Sequence, residues 1–369
     1  MKLSIAKEEL IKGLQAVQNV VSTRTTLPVL TNILLIAEGK NLQLTGTDLD
    51  VTITCQVEGE IEKEGSVTLP AKRFVGIVRE LESEEIELES DDRSVCTIKS
   101  GSSFYKVNGL PAEEYPAKPK SAEGISVTLP QVNLRRMLKR TSFAVSTDET
   151  RYVLNGIYLT MKEQRVTLVA TDGRRLALTD EEIELPEEAD VQIIVPTKAI
   201  NELARLLQDE GTVEISCGQN QASFTLGGED QMAILMVTKL VDGNYPNYKQ
   251  VIPSETGERI TLGREEFLHA LRRADIMTSD KANSVKLSFT RNNLSITANT
   301  PEVGEARESL AINYKGKEVA IAFNPTYLMD PLKALESDDI YFEINDELSP
   351  GVIKISEPFL YVIMPMRTS

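Results

Sequence analysis

Apolar residues along this chain recur at two spacings, and the two spacings alternate in a fixed order. Period-two alternation fills "NILLIAEGKNLQLTGTDLDVTITCQV" from Asn32, "GIYLTMKEQRVTLVATDGRRLALTDEEI" from Gly156 and "VKLSFTRNNLSITANTPEVGEARESLAI" from Val285. Such alternation predicts half-buried strands. Each run reads as three strands, joined by hairpin turns at Glu38-Gly39-Lys40-Asn41, Lys162-Glu163-Gln164 and Arg291-Asn292-Asn293. Helical spacing replaces alternation elsewhere, with Phe74, Ile77, Val78 and Leu81 on one apolar stripe and Leu134, Met137 and Leu138 on another. Pro70, Pro130, Pro196 and Pro325 each stand where a strand pattern gives way to a helix pattern, because the first helical turn tolerates a missing N–H.

The order of these patterns repeats. A strand-to-helix unit opens at Leu3 ("LSIAKEELIKGLQAV") and returns at Val127 and Ile260, intervals of 124 and 133 residues. A second unit, aligned on Pro70, Pro196 and Asn324, recurs at intervals of 126 and 128. The period exceeds the roughly 20–50 residues of solenoid repeats and matches a whole domain. Two Pro- and Gly-bearing connectors, Leu110 to Gly124 and Asp242 to Gly257, punctuate the repeats, and Tyr115-Pro116 in one corresponds to Tyr245-Pro246 in the other. Three similar domains are expected, at 1–123, 124–254 and 255–369. Each is an α+β domain of about two helices and roughly eight mostly antiparallel strands, with helices on one face of the sheets.

The charge changes this picture. The chain of 369 residues carries a net −16, which taken alone argues against nucleic acid. The helix segments 7–16, 71–80, 131–140, 197–206, 264–273 and 324–335 carry 0, +2, +4, +1, +1 and 0, or +8 together, so the remainder carries −24. The basic faces include Lys72, Arg73 and Arg79, and Arg135, Arg136, Lys139 and Arg140. Acidic runs occupy turns and strands. The glutamates of "ESEEIELE" read as a charged sheet edge that discourages unwanted pairing.

Catalytic signatures are sparse. His269 is the one histidine and sits within a helical repeat, which disfavours a histidine general base. Neither a phosphate-binding GxxxxGK[ST] loop nor a GxGxxG turn occurs, and no cofactor is expected. Asp48 and Asp50 could suggest a metal-binding pair. Alignment of the repeats, however, sets Asp48 opposite Asp172 and Thr300, a placement that suits an Asx turn better than a metal. Cys55, Cys96 and Cys217 are odd in number and widely spaced, so neither a disulfide framework nor a CxxC metal site is expected. The start "MKLSIAKEEL" lacks an apolar signal region, and no apolar run reaches 18 residues, so a cytoplasmic protein away from membranes is expected.

Four strings, "TRTTLPVLTNILL" from Thr23, "VATDGRRLAL" from Val169, "LVDGNYPNYKQVIP" from Leu240 and "YVIMPMR" from Tyr361, resemble the bacterial DNA polymerase III beta subunits, the sliding clamps. The resemblance runs the whole length. It implies a head-to-tail homodimer, a ring of six domains whose helices line a hole around duplex DNA, with antiparallel sheets outside. It implies a non-catalytic processivity factor of DNA replication. On that reading the basic helix faces meet duplex phosphates without reading sequence. The candidates are Arg73, Arg135, Arg136, Lys139, Arg140, Lys198, Arg205, Arg272 and Arg273, with Arg24 in the string matching the family's DNA-contacting loop.

The resemblance also implies a pocket between the second and third domains for short hydrophobic peptide motifs of the replicative polymerase, the clamp loader and repair proteins. The matching positions are Leu154, Thr171, Gly173, Arg174, Arg175, Leu176, Leu178, Pro246, Val251, Asn324, Tyr327, Val362, Met364, Pro365, Met366 and Arg367. Arg175 and Arg367 would lend their stems to the wall and their charge to the rim. Pro365 suggests that the last strand lies at a sheet edge. Arg174 and Gln250 depart from the family's usual His and Arg and bear on partner preference. The apolar dimer seam falls on Tyr105, Val107, Ile276 and Met277, with Lys72, Arg73, Glu305 and Glu308 as a charged rim. Two other readings remain open at this point. One is a metal-assisted hydrolase using Asp48, Asp50 and Asp172. The other is an acidic repeat scaffold that never encircles DNA.

Overall fold

The computed structural model describes residues 1–22, 25–186, 189–228, 232–254, 257–279, 283–301 and 304–366; Arg24 and Arg367 lie outside them. Six α-helices follow one another along the chain: α1 (Lys7–Val17), α2 (Ala71–Glu80), α3 (Gln131–Thr141), α4 (Thr197–Leu206), α5 (Arg264–Asp275) and α6 (Pro325–Ala334). Each of the three repeats contains two of them, with nine, eight and eight strands among the described residues. Every ladder is antiparallel.

The chain divides into two compact units, Met1–Arg135 with Lys198–Leu240, and Arg136–Thr197 with Val241–Ser369. The first unit holds a five-stranded sheet in the order Glu60–Lys63, Lys2–Ala6, Glu85–Ser90, Val95–Ser100, Ser103–Asn108. Its eight-stranded sheet runs Ile125–Pro130, Thr212–Cys217, Gln221–Gly227, Ile234–Lys239, Val51–Glu58, Asn41–Thr47, Asn32–Glu38, Gly65–Pro70. The second unit holds an eight-stranded sheet in the order Asp190–Pro196, Gly156–Lys162, Arg165–Thr171, Arg175–Glu182, Leu360–Ile363, Gly351–Lys354, Asp339–Ile344, Glu258–Gly263. Its four-stranded sheet runs Gly304–Ala311, Asn293–Thr300, Val285–Thr290, Val319–Phe323.

The hairpins follow the sequence. Glu163 and Gln164 both take positive φ, 54° and 58°, between the paired residues Lys162 and Arg165, as a two-residue type I′ turn demands. The prolines behave differently from expectation. Pro70, Pro130 and Pro196 close the strands that precede their helices, and only Pro325 enters a first helical turn. All three strands lie at sheet edges, where a missing donor costs no ladder bond. A second correction concerns Glu85–Ser90. This strand is third of five, with Ile86 and Leu88 buried and Glu85, Glu87 and Glu89 exposed, so its acids form a solvated face and not an edge.

One tie repeats three times. The first residue of the first helix in each repeat bonds its backbone N–H to the turn after the second helix: Lys7 to Glu84 O at 2.7 Å, Gln131 to Gly211 O at 3.0 Å and Arg264 to Asp338 O at 2.8 Å. Two of the side chains reach the same region. Lys7 Nζ donates to Leu81 O at the end of α2, and Arg264 Nη1 donates to Leu332 O of α6 at 3.0 Å. Cations placed at helix C-termini satisfy carbonyls that lack helical partners.

Candidate DNA-facing helices and peptide pocket

The apolar stripes of the helices are buried, and most cations lie opposite them, but few of those cations are unpaired. Arg135 meets Asp209 at 2.6 Å, Arg136 meets Glu181 at 3.3 Å and Lys139 meets Glu336 at 2.7 Å. Arg140 is corrected outright, because its side chain is 8% exposed and its guanidinium is bound to Glu357 at 2.6 Å. At i, i+3 and i+6 it shares the inward stripe of Leu134, Met137 and Leu138, so helical spacing alone carries it inside. Lys198 pairs with Asp48. Arg205 pairs with Glu202 and donates to Gln15 O and Ala16 O of α1, each at 2.8 Å. Arg273 is held by Glu308 at 2.6 Å, which lowers the Glu308 carboxyl below its ordinary range through that bond. Arg73 and Arg272 are exposed and have no ion pair among the described residues.

The Asp48 and Asp172 turns match the sequence reading. Asp48 Oδ1 accepts from the N–H groups of Asp50 and Val51, and Asp172 Oδ1 accepts from those of Arg174 and Arg175. Thr47 and Thr171 close the two loops alike, each donating to the carbonyl four residues on. The third residue of the turn, Leu49 in one and Gly173 in the other, takes φ of +80° and +84°. Among the described residues, no group of three or more acidic, His or Cys side chains is placed to hold a metal.

Most peptide-pocket candidates converge in the second unit. Val169, Leu176 and Val362 form a buried apolar cluster, and Tyr158, Leu178, Tyr245, Tyr248, Ile252 and Leu360 pack against it half-buried. Tyr158 stacks on Tyr245 at 4.7 Å between ring centres and meets Tyr248 edge-on at 6.2 Å. Burial raises the Tyr245 hydroxyl far above its ordinary pKa. Pro246 and Val251 lie exposed on the segment that carries these rings.

The strand Leu360–Ile363 sits fifth of eight, paired on both sides, so it is not the edge strand that Pro365 suggested. The ladder stops at Ile363, two residues before that proline, which is how a central strand accommodates it. Met364 N then donates to Arg174 O at 2.9 Å and Met366 N to Ala322 O at 2.7 Å, fixing the segment beside Asn324 and the start of α6. Asn324 caps that helix by accepting from Tyr327 N at 3.3 Å. Leu154 is buried in the same unit.

Arg175 differs from its expected place at a rim. Its side chain is 10% exposed. Nε donates to Asp172 at 3.0 Å, Nη1 to Asp330 of α6 at 2.6 Å and Nη2 to Phe143 O at 2.6 Å. The guanidinium lies 4.2 Å from the centre of the Tyr327 ring. Burial opposes its charge, but the bond to Asp330 and the neighbouring carboxylates hold it protonated. Tyr327 is fixed a second way. Pro331 lies inside α6 and cannot donate to Tyr327 O; Tyr361 Oη donates to that carbonyl instead, at 2.7 Å.

The sequence candidates did not include Tyr158 and Tyr248, which pack on the apolar cluster, or the exposed Leu348. Leu348 is 82% exposed in the loop before Gly351, and Gly351 pairs with Ile363 opposite Arg175. The loop therefore emerges at the same sheet end as Gly173 and Met364. An exposed leucine in a turn is the one signal a sequence offers for such a residue. A separate open cavity of about 1040 Å³ lies in the first unit, lined by polar groups such as Gln15, Gln56, Gln131 and Gln208, and includes none of the apolar candidates.

Of the seam candidates, Ile276 is 74% exposed and Tyr105 is exposed, while Met277 is half-buried. Val107 is corrected. It is 7% exposed and faces the core, and the large apolar side chain that does stand out beside Tyr105 is Phe104. Tyr105 and Val107 lie on the edge strand Ser103–Asn108, and Met277 packs beside Gly304, where the other unit's edge strand Gly304–Ala311 begins.

Family models for the DNA polymerase III beta subunit match the chain in succession: the N-terminal domain over residues 1–119, the central domain over 128–247 and the C-terminal domain over 249–367. The chain is 37% identical over 367 residues to the beta sliding clamp of Chlamydia muridarum, covering 100% of this chain and 99% of that one. It is 33% identical to the beta sliding clamp of Bacillus subtilis, with both chains covered in full. Its fold matches the sliding clamp of Pseudomonas aeruginosa bound to griselimycin with a TM-score of 0.95 at 35% identity, and the DNA polymerase sliding clamp of Bacillus subtilis with 0.94 at 32%, each over the whole of both chains. A threefold βα module matched from end to end in this way is a member of the DNA polymerase III beta subunit family, the DNA sliding clamps.

Proposed function

We propose that two copies of this chain close head to tail around duplex DNA and hold the replicative polymerase on its template. The sliding-clamp family is a non-catalytic processivity factor, and its DNA and polymerase partners carry over at that level. The acidic-scaffold alternative has no support. The observation that carries the reading is the full-length match of all three repeats. The geometry is compatible with it. A heterologous contact closes only when the rotations sum to a full turn, which equal modules make simple. The exposed edges Ser103–Asn108 and Gly304–Ala311 offer unpaired backbone for a contact between copies, with Phe104, Tyr105, Ile276 and Met277 as its apolar part. Domain limits near 123 and 254 fit the two connectors, and a cytoplasmic location fits a replication protein with three buried free thiols. No described helix is long and apolar enough to cross a membrane.

The peptide site, on this proposal, is the apolar cluster around Leu176 and Val362 with Leu178, Tyr158, Tyr245 and Tyr248 packed on it, extended by Met364, Met366 and the exposed Leu348 at the same sheet end. Polymerase, clamp-loader and repair proteins would insert short hydrophobic motifs there. Methionine and leucine adapt to several such partners. Two experiments test the reading. Retention on nicked circular DNA with release after linearisation is expected for an encircling ring; equal loss from both forms removes it. Deleting Met364 to Ser369 is expected to abolish griselimycin and polymerase binding while leaving a dimer, and unchanged affinity refutes the pocket.

A further inference from the structure

We propose that Arg79 closes the seam between two copies by capping α5 of the neighbouring copy. Its guanidinium donates to the backbone carbonyls of the partner subunit's Arg272 and the partner subunit's Arg273. The inference rests on the head-to-tail dimer and deepens it by naming a bond that holds the seam.

The chain already contains one junction of this kind. In the first unit, Arg205 near the end of α4 donates from Nη1 to Gln15 O and from Nη2 to Ala16 O of α1, each at 2.8 Å. The last four carbonyls of a helix lack partners inside it, and that end carries partial negative charge, so a planar fork of donors suits it. Leu14 O is taken by Gln18 N at 2.9 Å, and Arg205 takes the next two. Strands join at the same place, where Ile234–Lys239 pairs with Val51–Glu58.

The counterparts of these parts are left open within one copy. Arg205 stands nine residues after Pro196, and Arg79 stands nine after Pro70. Gln15 and Ala16 stand eight and nine residues after Lys7, the first of α1; Arg272 and Arg273 stand eight and nine after Arg264, the first of α5. The last two carbonyls of α5 are used inside the chain, Ala274 O by Met277 N at 3.1 Å and Asp275 O by Thr278 N at 3.0 Å. The other two of its last four are those of Arg272 and Arg273. The Arg273 side chain is held by Glu308 at 2.6 Å, so its charge is matched while its carbonyl stays available. The strands corresponding to Ile234–Lys239 and Val51–Glu58 are Ser103–Asn108 and Gly304–Ala311, and both are edges. Arg79 itself is exposed, and its described bond goes to the neutral Gln18 Oε1 at 3.2 Å, a weaker acceptor than a helix end.

The remaining junction shows why an arginine is needed. Lys333 holds the matching position on α6, nine residues after Asn324, and pairs with Asp330 at 3.7 Å. There the end of α3 is joined to the third repeat by side chains instead, Lys139 to Glu336 at 2.7 Å and Arg140 to Glu357 at 2.6 Å. An ammonium is a point charge and does not span two carbonyls as a guanidinium does.

The test compares R79Q and R79K with the parent protein by sedimentation of labelled chain over a dilution series. A head-to-tail dimer has two identical seams, so each loss counts twice. R79Q is expected to raise the dimer Kd about hundredfold, about tenfold per seam, and R79K about tenfold or more. Arg79 is exposed within one copy, so both variants should keep the parent circular dichroism. An R79Q dimer within about threefold of the parent Kd overturns the cap and leaves encirclement intact. R79K at the parent Kd assigns the effect to charge alone and overturns it as well. Parent protein that stays monomeric at every concentration removes both the cap and the ring.

Discussion

Replacing Asp330 with alanine should destabilise the second unit by about 1.5–3 kcal/mol. Asp330 on α6 holds Nη1 of Arg175, whose side chain is 10% exposed; Asp172, the other carboxylate, is 15% exposed and Asp330 itself 20%. Removing one partner of a fully buried pair costs about 3–5 kcal/mol, because the surviving charge is left without solvent or counter-charge. Here Arg175 keeps Asp172 at 3.0 Å and Phe143 O at 2.6 Å, so the loss should approach that of one charge-assisted hydrogen bond, about 1.5–3 kcal/mol.

The complementary variant Arg175→Met leaves Asp172 and Asp330 facing each other with no cation between them, and should cost at least as much. Arg175→Met with Asp330→Leu removes the charges together, so the double variant should cost less than the sum by at least about 1 kcal/mol. With no tryptophan in the chain and 10 tyrosines, tyrosine fluorescence during urea unfolding at fixed protein concentration reports all three. On the proposed pocket, affinity for a polymerase-motif peptide should fall in parallel, because the guanidinium lies over the Tyr327 ring. An Asp330→Ala change below about 0.5 kcal/mol, or strictly additive variants, would show that the buried ion cluster does not hold α6 to the pocket strand.

Leu49 adopts φ +80° in a turn whose counterpart is Gly173, so Leu49→Gly should relieve about 1–2 kcal/mol of left-handed strain, offset by about 0.5–1 in chain entropy, and raise the melting temperature of the first unit. Burial pushes the thiols of Cys55, Cys96 and Cys217 up to about 12, so the native protein should resist a disulfide reagent at pH 8, and modification should follow the unfolding rate. On the proposed pocket, Leu178→Thr should weaken binding of a polymerase-motif peptide about five- to thirtyfold, the value of about 1–2 kcal/mol of lost apolar contact, with little change in melting temperature because Leu178 is only half-buried.

The period-two and helical patterns made strands, hairpins and helices legible because both depend on local geometry. They were also enough to show the repeat. The sequence could not show which charges cancel. Arg135 and Asp209 are 74 residues apart, and Lys139 and Glu336 are 197 apart. Only the folded chain joins them, and a net charge of +4 on a helix therefore overstated its field. The same limit misled the reading of Arg175 and Val107. Each sits in a segment whose exposed and buried neighbours are set by elements far along the chain. For Leu360–Ile363, the proline that argued for an edge lies just past the ladder, so the rule held while its position was misjudged by two residues.

Repetition also explains why an apolar site of this kind need form only once. The two eight-stranded sheets share one register: Thr45 pairs with Thr54 and Thr47 with Thr52, while Val169 pairs with Leu178 and Thr171 with Leu176. Val237 faces Thr52 as Val362 faces Leu176. Three threonines in the first sheet, at 45, 52 and 54, are thus valine or leucine in the second. The threonines are buried and bond across the strands, Thr45 to Thr54 at 3.2 Å and Thr47 to Thr52 at 2.8 Å. Tyr115, the counterpart of Tyr245, lies over this surface with its hydroxyl bonded to Asn32 O and Thr45 O. Hydroxyls satisfied in this way give an incoming apolar side chain nothing to displace and would lose their partners if pried apart. Exchanging three hydroxyl-bearing side chains for aliphatic ones leaves the sheet unchanged and turns the same face into a surface that gains by being covered.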